Sequence, residues 1–240
     1  KMMSAHVSYF QRWNPNGESS DEIIVIESSL QAQGRMSSHL YRLNTKTGDS
    51  TLLTMGAPSG TIDWTVDHQC VARVAMTTDE TRTLVHYRAG EQAPWTLIRQ
   101  FNNDEPQKMI QPLRFDSKGN LYVSAYGADD AMAIYTFDGA TGKLSDAPVF
   151  KAPGFDLEGG LLIDQGSGEL LGVRFQADRT RTVWVDAELD ALQKTIDRAL
   201  PDAVNTAGSP FGPWPVISMD VRKTRASTIC DAMVRFQISS

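Results

Sequence analysis

The 240-residue sequence has little of what marks a membrane-spanning, nucleic-acid-binding or disulfide-stabilised protein. No run approaches the roughly 18 consecutive apolar residues of a membrane span, and residues 1–7 contain no apolar core of an export signal. Its 23 Lys and Arg are outnumbered by 29 Asp and Glu, which gives a formal charge of −6. Nucleic acid and anionic membranes are therefore not expected as partners, because both require a basic surface.

Cysteine is equally scarce, with Cys70 and Cys230 far apart in the chain. They fit no metal-binding or redox spacing, so we expect two unpaired thiols. We expect a water-soluble chain, for which composition does not distinguish the cytoplasm from the periplasm.

The motifs of common enzymes are also missing. There is no H-E-x-x-H, P-loop or Rossmann glycine fingerprint, and no G-x-S-x-G, because the segment 208–212 has its serine one place early and a proline after it. The histidines stand at no motif spacing from an acid and a nucleophile: His6, His39, His68 and His86. The sequence therefore predicts no catalytic, cofactor-binding or metal-ligating residue and no cofactor.

One pair of carboxylates invites a different interpretation. Asp156 and Glu158 alternate along an extended segment, which places them on one side, where they could bind a cation or an amine. A solvated blade edge accounts for them more simply, and we assign them no function.

What the sequence does contain is an internal repeat. Three segments share an apolar strand, an Asp-led tight turn and a second apolar strand, and their turns begin at Asp67, Asp116 and Asp164, 49 and 48 residues apart. Residues 13–17 are a further candidate for the same element, about 50 residues upstream. Asp bonds its own backbone in turns, and Gly supplies the positive φ of the return.

A second hairpin lies between successive copies of this element. Its turns are at residues 44–48, 88–90 and 138–142, each flanked by apolar strands. Each period of about 48 residues thus holds four strands, which is typical of a propeller blade. We predict an all-β fold, a β-propeller or partial propeller of about four four-stranded antiparallel blades over residues 1–205, with a sandwich or other all-β array as the alternative.

One turn departs from the repeat. Cys70 stands where the other two turns have Gly119 and Gly168, a position that favours a left-handed backbone. We expect this turn either to differ in type or to carry mild strain.

The repeat ends near residue 186. Asp186 suits an N-cap, the apolar stripe Leu189, Leu192, Ile196 and Leu200 follows, and Pro201 ends the run. This predicts one amphipathic helix over about residues 187–200, packed on the blades.

Residues 206–240 lie outside the pattern, with strands predicted at Val216–Val221 and Met233–Ile238. A partial ring would expose sheet edges. We expect this tail to add strands at the open end, or two copies of the chain to associate.

Several segments of the predicted blades resemble a known family. The segments 38–48, 61–67, 155–162, 172–175 and 182–186, with the helical stretch 192–201, are similar to the propeller half of bacterial prolyl oligopeptidase-family serine peptidases, of the acylaminoacyl and dipeptidyl peptidase branch. In that family the propeller is not the catalyst: it caps an α/β-hydrolase domain and restricts access to short peptides. The resemblance covers roughly residues 20–205.

The resemblance implies a non-catalytic propeller fragment that gates or binds peptide substrates for a hydrolase domain absent from this sequence, in a parent protein that is a serine peptidase. In that family the propeller sometimes supplies a carboxylate that binds the amino terminus of the substrate. This sequence has no Glu-Glu pair that would justify assigning that role, so we assign it to no residue. Two alternatives stay open: a stand-alone propeller scaffold for protein interaction, and a calcium-dependent lactonase-like hydrolase, which the phrase at residues 116–123 would also suit.

Overall fold

The computed structural model describes residues 6–12, 14, 20–30, 36–128, 130–154, 156–157, 159–164, 166–177, 179–201, 204–208 and 216–220. The chain divides into two compact units. One comprises residues 1–157 and 163–169, and the other comprises residues 158–162 and 170–240.

The first unit contains three four-stranded antiparallel sheets, each built from strands consecutive in sequence. The first sheet is β1 (Val7–Arg12), β2 (Glu22–Leu30), β3 (Met36–Asn44) and β4 (Ser50–Leu52). The second is β5 (Thr61–Val66), β6 (Ala72–Thr78), β7 (Arg82–Tyr87) and β8 (Thr96–Asn102). A 3₁₀ turn at Pro106–Lys108 leads to the third, which is β9 (Ile110–Phe115), β10 (Leu121–Tyr126), β11 (Met132–Asp138) and β12 (Lys143–Leu144).

The core of this unit lies between successive sheets. One cluster joins the first and second sheets through Ile24, Leu40 and Trp64, and a second cluster joins the second and third through Val85 and Val123. Each fully buried side chain of this size contributes about 1.5–3 kcal/mol. Packing of each sheet on the next, with no layer between, is what a series of blades requires.

A buried polar link also joins the first two sheets. Trp64 Nε1 donates a 3.0 Å hydrogen bond to Ser38 Oγ, which in turn donates to the Thr61 carbonyl oxygen at 3.0 Å. Both Ser38 and Thr61 are buried. The chain of bonds satisfies polar groups that would otherwise be costly inside the core.

The second unit contains a fourth antiparallel sheet and the helix. The sheet is β13 (Gly159–Ile163, whose last residue belongs to the first unit), β14 (Leu170–Gln176) and β15 (Thr180–Trp184). Helix α1 (Ala187–Ala199) follows, and β16 (Val204–Gly208) pairs with β17 (Val216–Asp220) in a two-stranded sheet.

Helix α1 begins and ends close to the predicted residues. The Asp186 side chain accepts a 2.8 Å hydrogen bond from the Leu189 backbone N–H, which is the expected N-cap. Of the apolar stripe, Ile196 is buried and Leu200 is exposed. The helix is anchored to β16 by Gln193 Nε2, which donates to the Asn205 carbonyl oxygen at 2.9 Å.

The predicted all-β propeller class, with one helix in the C-terminal part, is confirmed. One detail differs: the fourth sheet has three strands in the part of the chain that the structure describes, where four were predicted. The predicted strand from Val216 is β17, whose described partner is β16, while Met233–Ile238 lies outside the described residues. No helix in the described ranges has the length and hydropathy needed to cross a membrane.

Candidate functional site

The first strand of each sheet in the first unit carries an irregularity that the sequence pattern does not reveal. In β1, β5 and β9 one residue has no partner opposite it on the neighbouring strand: Phe10, Ile62 and Leu113. These bulges lie 52 and 51 residues apart along the chain, so they are part of the repeat. A bulge re-aims side chains and is frequent beside functional sites.

The bulge in β9 brings two polar side chains to one face. Gln111 pairs with Ser124 and Arg114 pairs with Tyr122. Because these partners are two residues apart on β10, Gln111 and Arg114 share a face despite their odd spacing. The same strand contains Pro112, which a sheet tolerates at its edge.

The bulge in β5 leaves Ile62 40% exposed and is followed by a half-buried carboxylate, Asp63. Asp63 Oδ1 accepts from the Trp64 backbone N–H at 2.8 Å, and Asp63 Oδ2 accepts from Gln111 Nε2 at 3.1 Å. Gln111 thereby connects β9 to β5. Both donors to Asp63 are neutral.

No cation pairs with Asp63 among the described residues. A carboxylate has about four acceptor positions, so Asp63 retains capacity for a cationic donor. Arg114 pairs two positions along β10 from the partner of Gln111, which corresponds to about 7 Å along the strand. We call the first strand of each sheet its inner strand, and Ile62, Asp63, Gln111 and Arg114 together the inner-strand site.

The aspartate turns lie at the carboxyl ends of these inner strands. Asp67 Oδ1 accepts from the backbone N–H groups of Gln69 and Val71, and Asp116 Oδ1 accepts in the same way from Lys118 and Asn120. The two turns are therefore of one type. The Asp164 turn is one residue longer, closing with a bond from the Asp164 N–H to the Glu169 carbonyl oxygen.

Cys70 adopts the left-handed backbone expected from its alignment with glycine. Its φ is 63°, against 83° for Gly119 and 71° for Gly168. Two alternatives were predicted for this turn. A different turn type is wrong, because the Asp67 and Asp116 turns have the same hydrogen bonds. The structure shows the other alternative, a strained residue in a turn of the same type. Cys70 is buried, and desolvation raises the pKa of its thiol.

Three turns meet around Gly168. The Ser117 N–H donates to the Gly168 carbonyl oxygen at 2.8 Å, and the His68 ring lies so close that a Cβ on Gly168 would be 2.4 Å from its Nδ1. Hydrogen bonds from Ser167 lower the pKa of Asp164, with a smaller contribution from His68. No hydrogen bond within the described part joins His68 to Asp164 or to the Ser117 hydroxyl, so these three side chains are not arranged as a nucleophile, base and orienting acid.

Two arginines follow the Asp67 turn. Arg73 forms a 2.9 Å ion pair with Asp67 and also donates to the Tyr87 hydroxyl. Arg88 is 3% exposed, and its guanidinium carbon lies 4.6 Å from the centre of the Trp95 ring. Burial lowers the pKa of Arg88, an effect opposed by the nearby Glu91 carboxylate.

In the third sheet, Asp116 serves as a buried acceptor. Its Oδ2 accepts from Asn120 Nδ2 at 2.8 Å and from the Tyr122 hydroxyl at 3.1 Å. Burial, followed by the Asp116 charge and hydrogen bond, raises the pKa of Tyr122 to about 12. Asp116, Asn120 and Tyr122, which lie in the segment that a lactonase-like hydrolase would also suit, thus bond to one another beside the turn.

Of the two carboxylates that the sequence analysis considered, Asp156 and Glu158, the structure describes the first. Asp156 Oδ1 accepts from the Met132 backbone N–H at 2.8 Å, which is a structural contact, and Glu158 lies outside the described residues. Within the described ranges no group of three or more His, Cys, Asp or Glu is placed to hold a metal ion.

No family model and no curated protein sequence matches this chain. Among solved structures the chain is similar to the β-propeller domain of the Trilobed protease from Pyrococcus furiosus, which is described as having an open velcro topology. The two are 8% identical, the match covers 86% of this chain and 67% of that chain, and the TM-score is 0.41.

Proposed function

We propose that this chain is a non-catalytic propeller module that binds extended peptide segments along its inner strands, in a protein whose α/β-hydrolase domain is a prolyl oligopeptidase-type serine peptidase. The observation that carries the binding role is the half-buried Asp63 carboxylate, which two neutral donors hold in place without a cation. The assignment of the hydrolase domain to a peptidase rests on the resemblance of the predicted blade segments to that family.

The inner-strand site suits a short extended peptide. The Asp63 carboxylate would accept from the ammonium group of the peptide amino terminus, a charge-assisted bond that is stronger than a neutral one. Arg114 is exposed and would donate to a peptide carbonyl or carboxylate. Gln111, which donates to Asp63, and Arg114 lie about 7 Å apart along β9, which corresponds to about two residues of extended chain.

The inner strands also offer backbone groups. Within the described residues, β5 and β9 are each paired on one side only, with β6 and β10. An extended peptide can add to such an edge through main-chain hydrogen bonds. Exposed Ile62 beside Asp63 provides apolar contact for a side chain.

The test measures fluorescence anisotropy of labelled hexapeptides with a free or an acetylated amino terminus. The wild-type chain should bind the free amine more tightly, and Asp63→Asn should weaken that binding about tenfold, since a hydrogen bond to a charged group contributes about 1.5–3 kcal/mol. Asp104→Asn, at an exposed loop position, is the matched control. Equal affinities for the two peptides, or for wild type and Asp63→Asn, would refute the role of Asp63.

The peptidase part is tested separately by the gene sequence downstream of this segment. A continuing reading frame that encodes an α/β-hydrolase domain with G-x-S-x-G would support it. A stop codon, or an unrelated domain, would leave a peptide-binding propeller of the scaffold type and reject the peptidase part.

A further inference from the structure

Arg88 is a buried cation that pairs with no carboxylate among the described residues. It follows β7 and is 3% exposed, and it forms no ion pair within the described residues. Its hydrogen-bond acceptors are backbone carbonyl oxygens: those of Ala72 at 2.7 Å, Glu91 at 2.9 Å and Leu53 at 3.2 Å. Buried charges in proteins are normally paired, because their desolvation is costly.

The Arg88 guanidinium has more N–H donors than its described hydrogen bonds use. It carries five N–H groups, of which these three bonds use three. Its neighbour Trp95 likewise has a buried indole N–H without an acceptor. The region around Arg88 therefore has an excess of donors and a deficit of acceptors.

A cavity of about 150 Å³ adjoins this cation. It is lined by Leu53, Gln69, Cys70, Val71, Ala72, Arg88 and Glu91. A cavity of about that volume accommodates a molecule the size of benzene, so a two-carbon acid fits within it. The Glu91 side chain is exposed and forms no ion pair with Arg88 in the described structure.

The other charges near Arg88 set its net environment. They are Arg73, Asp67 and Glu91. Arg73 and Asp67 neutralise each other in their 2.9 Å ion pair. Among the described residues, Glu91 is then the remaining negative charge that acts on Arg88. An anion in the cavity would be attracted by Arg88 and repelled by Glu91.

We propose that this cavity binds one small carboxylate, held by the unused N–H groups of Arg88. Arginine suits this ligand because its planar fork matches the two oxygens of a carboxylate, which chloride does not offer. The carboxylate can belong to a free acid such as acetate or to the end of a peptide chain. This proposal does not depend on peptide binding at the inner-strand site.

The experiment titrates sodium acetate into the ¹⁵N-labelled chain at constant ionic strength and follows the backbone amide signals of residues 69–72. These signals should shift and saturate. Glu91→Gln should tighten acetate binding several-fold, because it removes the repelling charge, whereas Glu80→Gln at an exposed position should not. Arg88→Lys should weaken binding about tenfold, since lysine keeps the charge and loses the fork.

A second arm distinguishes the sources of the carboxylate. A short peptide with a free carboxyl terminus is compared with its carboxamide; a matching shift from the acid peptide alone identifies a chain end, and a shift from acetate alone identifies a free acid. Unsaturable shifts with both ligands, no response of affinity to Glu91→Gln, or equal saturation by chloride would overturn the proposal.

Discussion

The contact between His68 and Gly168 joins two turns that are 100 residues apart, and Gly168→Ala tests it. Gly168 has φ of 71°, and a Cβ there would lie 2.4 Å from His68 Nδ1. Gly119 is the matched control: its φ is 83°, and a Cβ would have no heavy atom within 4 Å. The two substitutions share the backbone cost and differ in the clash.

The magnitudes follow from this difference. A left-handed backbone costs an alanine about 1–2 kcal/mol, partly offset by about 0.4–1 kcal/mol from the lower entropy of the unfolded chain. Gly119→Ala should therefore lower the free energy of unfolding by about 1 kcal/mol. Gly168→Ala should add about 1–3 kcal/mol for overpacking against the imidazole, a total of about 2–4 kcal/mol.

Urea unfolding of five proteins measures the effect: wild type, Gly119→Ala, Gly168→Ala, His68→Ala and the variant that combines Gly168→Ala with His68→Ala. In the His68→Ala background, Gly168→Ala should cost only about 1 kcal/mol, the same as Gly119→Ala, which gives a coupling energy of about 1–3 kcal/mol. Equal losses for Gly168→Ala and Gly119→Ala in the wild-type background, or a coupling energy near zero, would refute the contact.

Three further predictions concern single groups. Asp186→Ala removes the N-cap of α1 and should lower the free energy of unfolding by about 1 kcal/mol, seen in urea denaturation, with no change for Asp104→Asn. The folded-state pKa of Tyr122, about 12, lies above its unfolded value of 10.0; its contribution is thus fully present below pH 10 and lost as pH rises toward 12, so Tyr122→Phe should flatten the decline of stability measured between these values. In a Cys230→Ser variant, buried Cys70, whose pKa desolvation raises, should react with Ellman's reagent only in denaturant; rapid reaction of the native chain would contradict its burial.

The local pattern predicted the sheets well because each hairpin is encoded within about 15 residues. The Asp-led turns at Asp67 and Asp116 mark the returns between first and second strands. The alignment of Cys70 with glycine left two alternatives, a different turn type or a strained residue, and the structure shows the second. Asp186 similarly marks the beginning of α1. These features depend on backbone geometry that neighbouring residues determine.

The candidate site was not predictable in the same way, because it depends on contacts between residues far apart in sequence. Gln111 and Asp63 meet only when β9 packs beside β5, and the bulge at Leu113 reverses the face that alternation would assign to Arg114. Buried Arg88 likewise donates to the Leu53 carbonyl oxygen, 35 residues earlier. The 51- to 52-residue recurrence of the bulged positions becomes visible only once the strands are paired.

One time course tests both whether the chain binds peptides at its inner strands and whether it leaves them uncleaved. A hexapeptide with a free amino terminus and a fluorophore at its carboxyl end is mixed with the purified chain, and anisotropy is recorded for several hours. We expect an immediate rise that stays constant and that Asp63→Asn weakens. No rise at any protein concentration would contradict binding, and a decline that reflects release of a shorter labelled fragment would contradict the non-catalytic assignment.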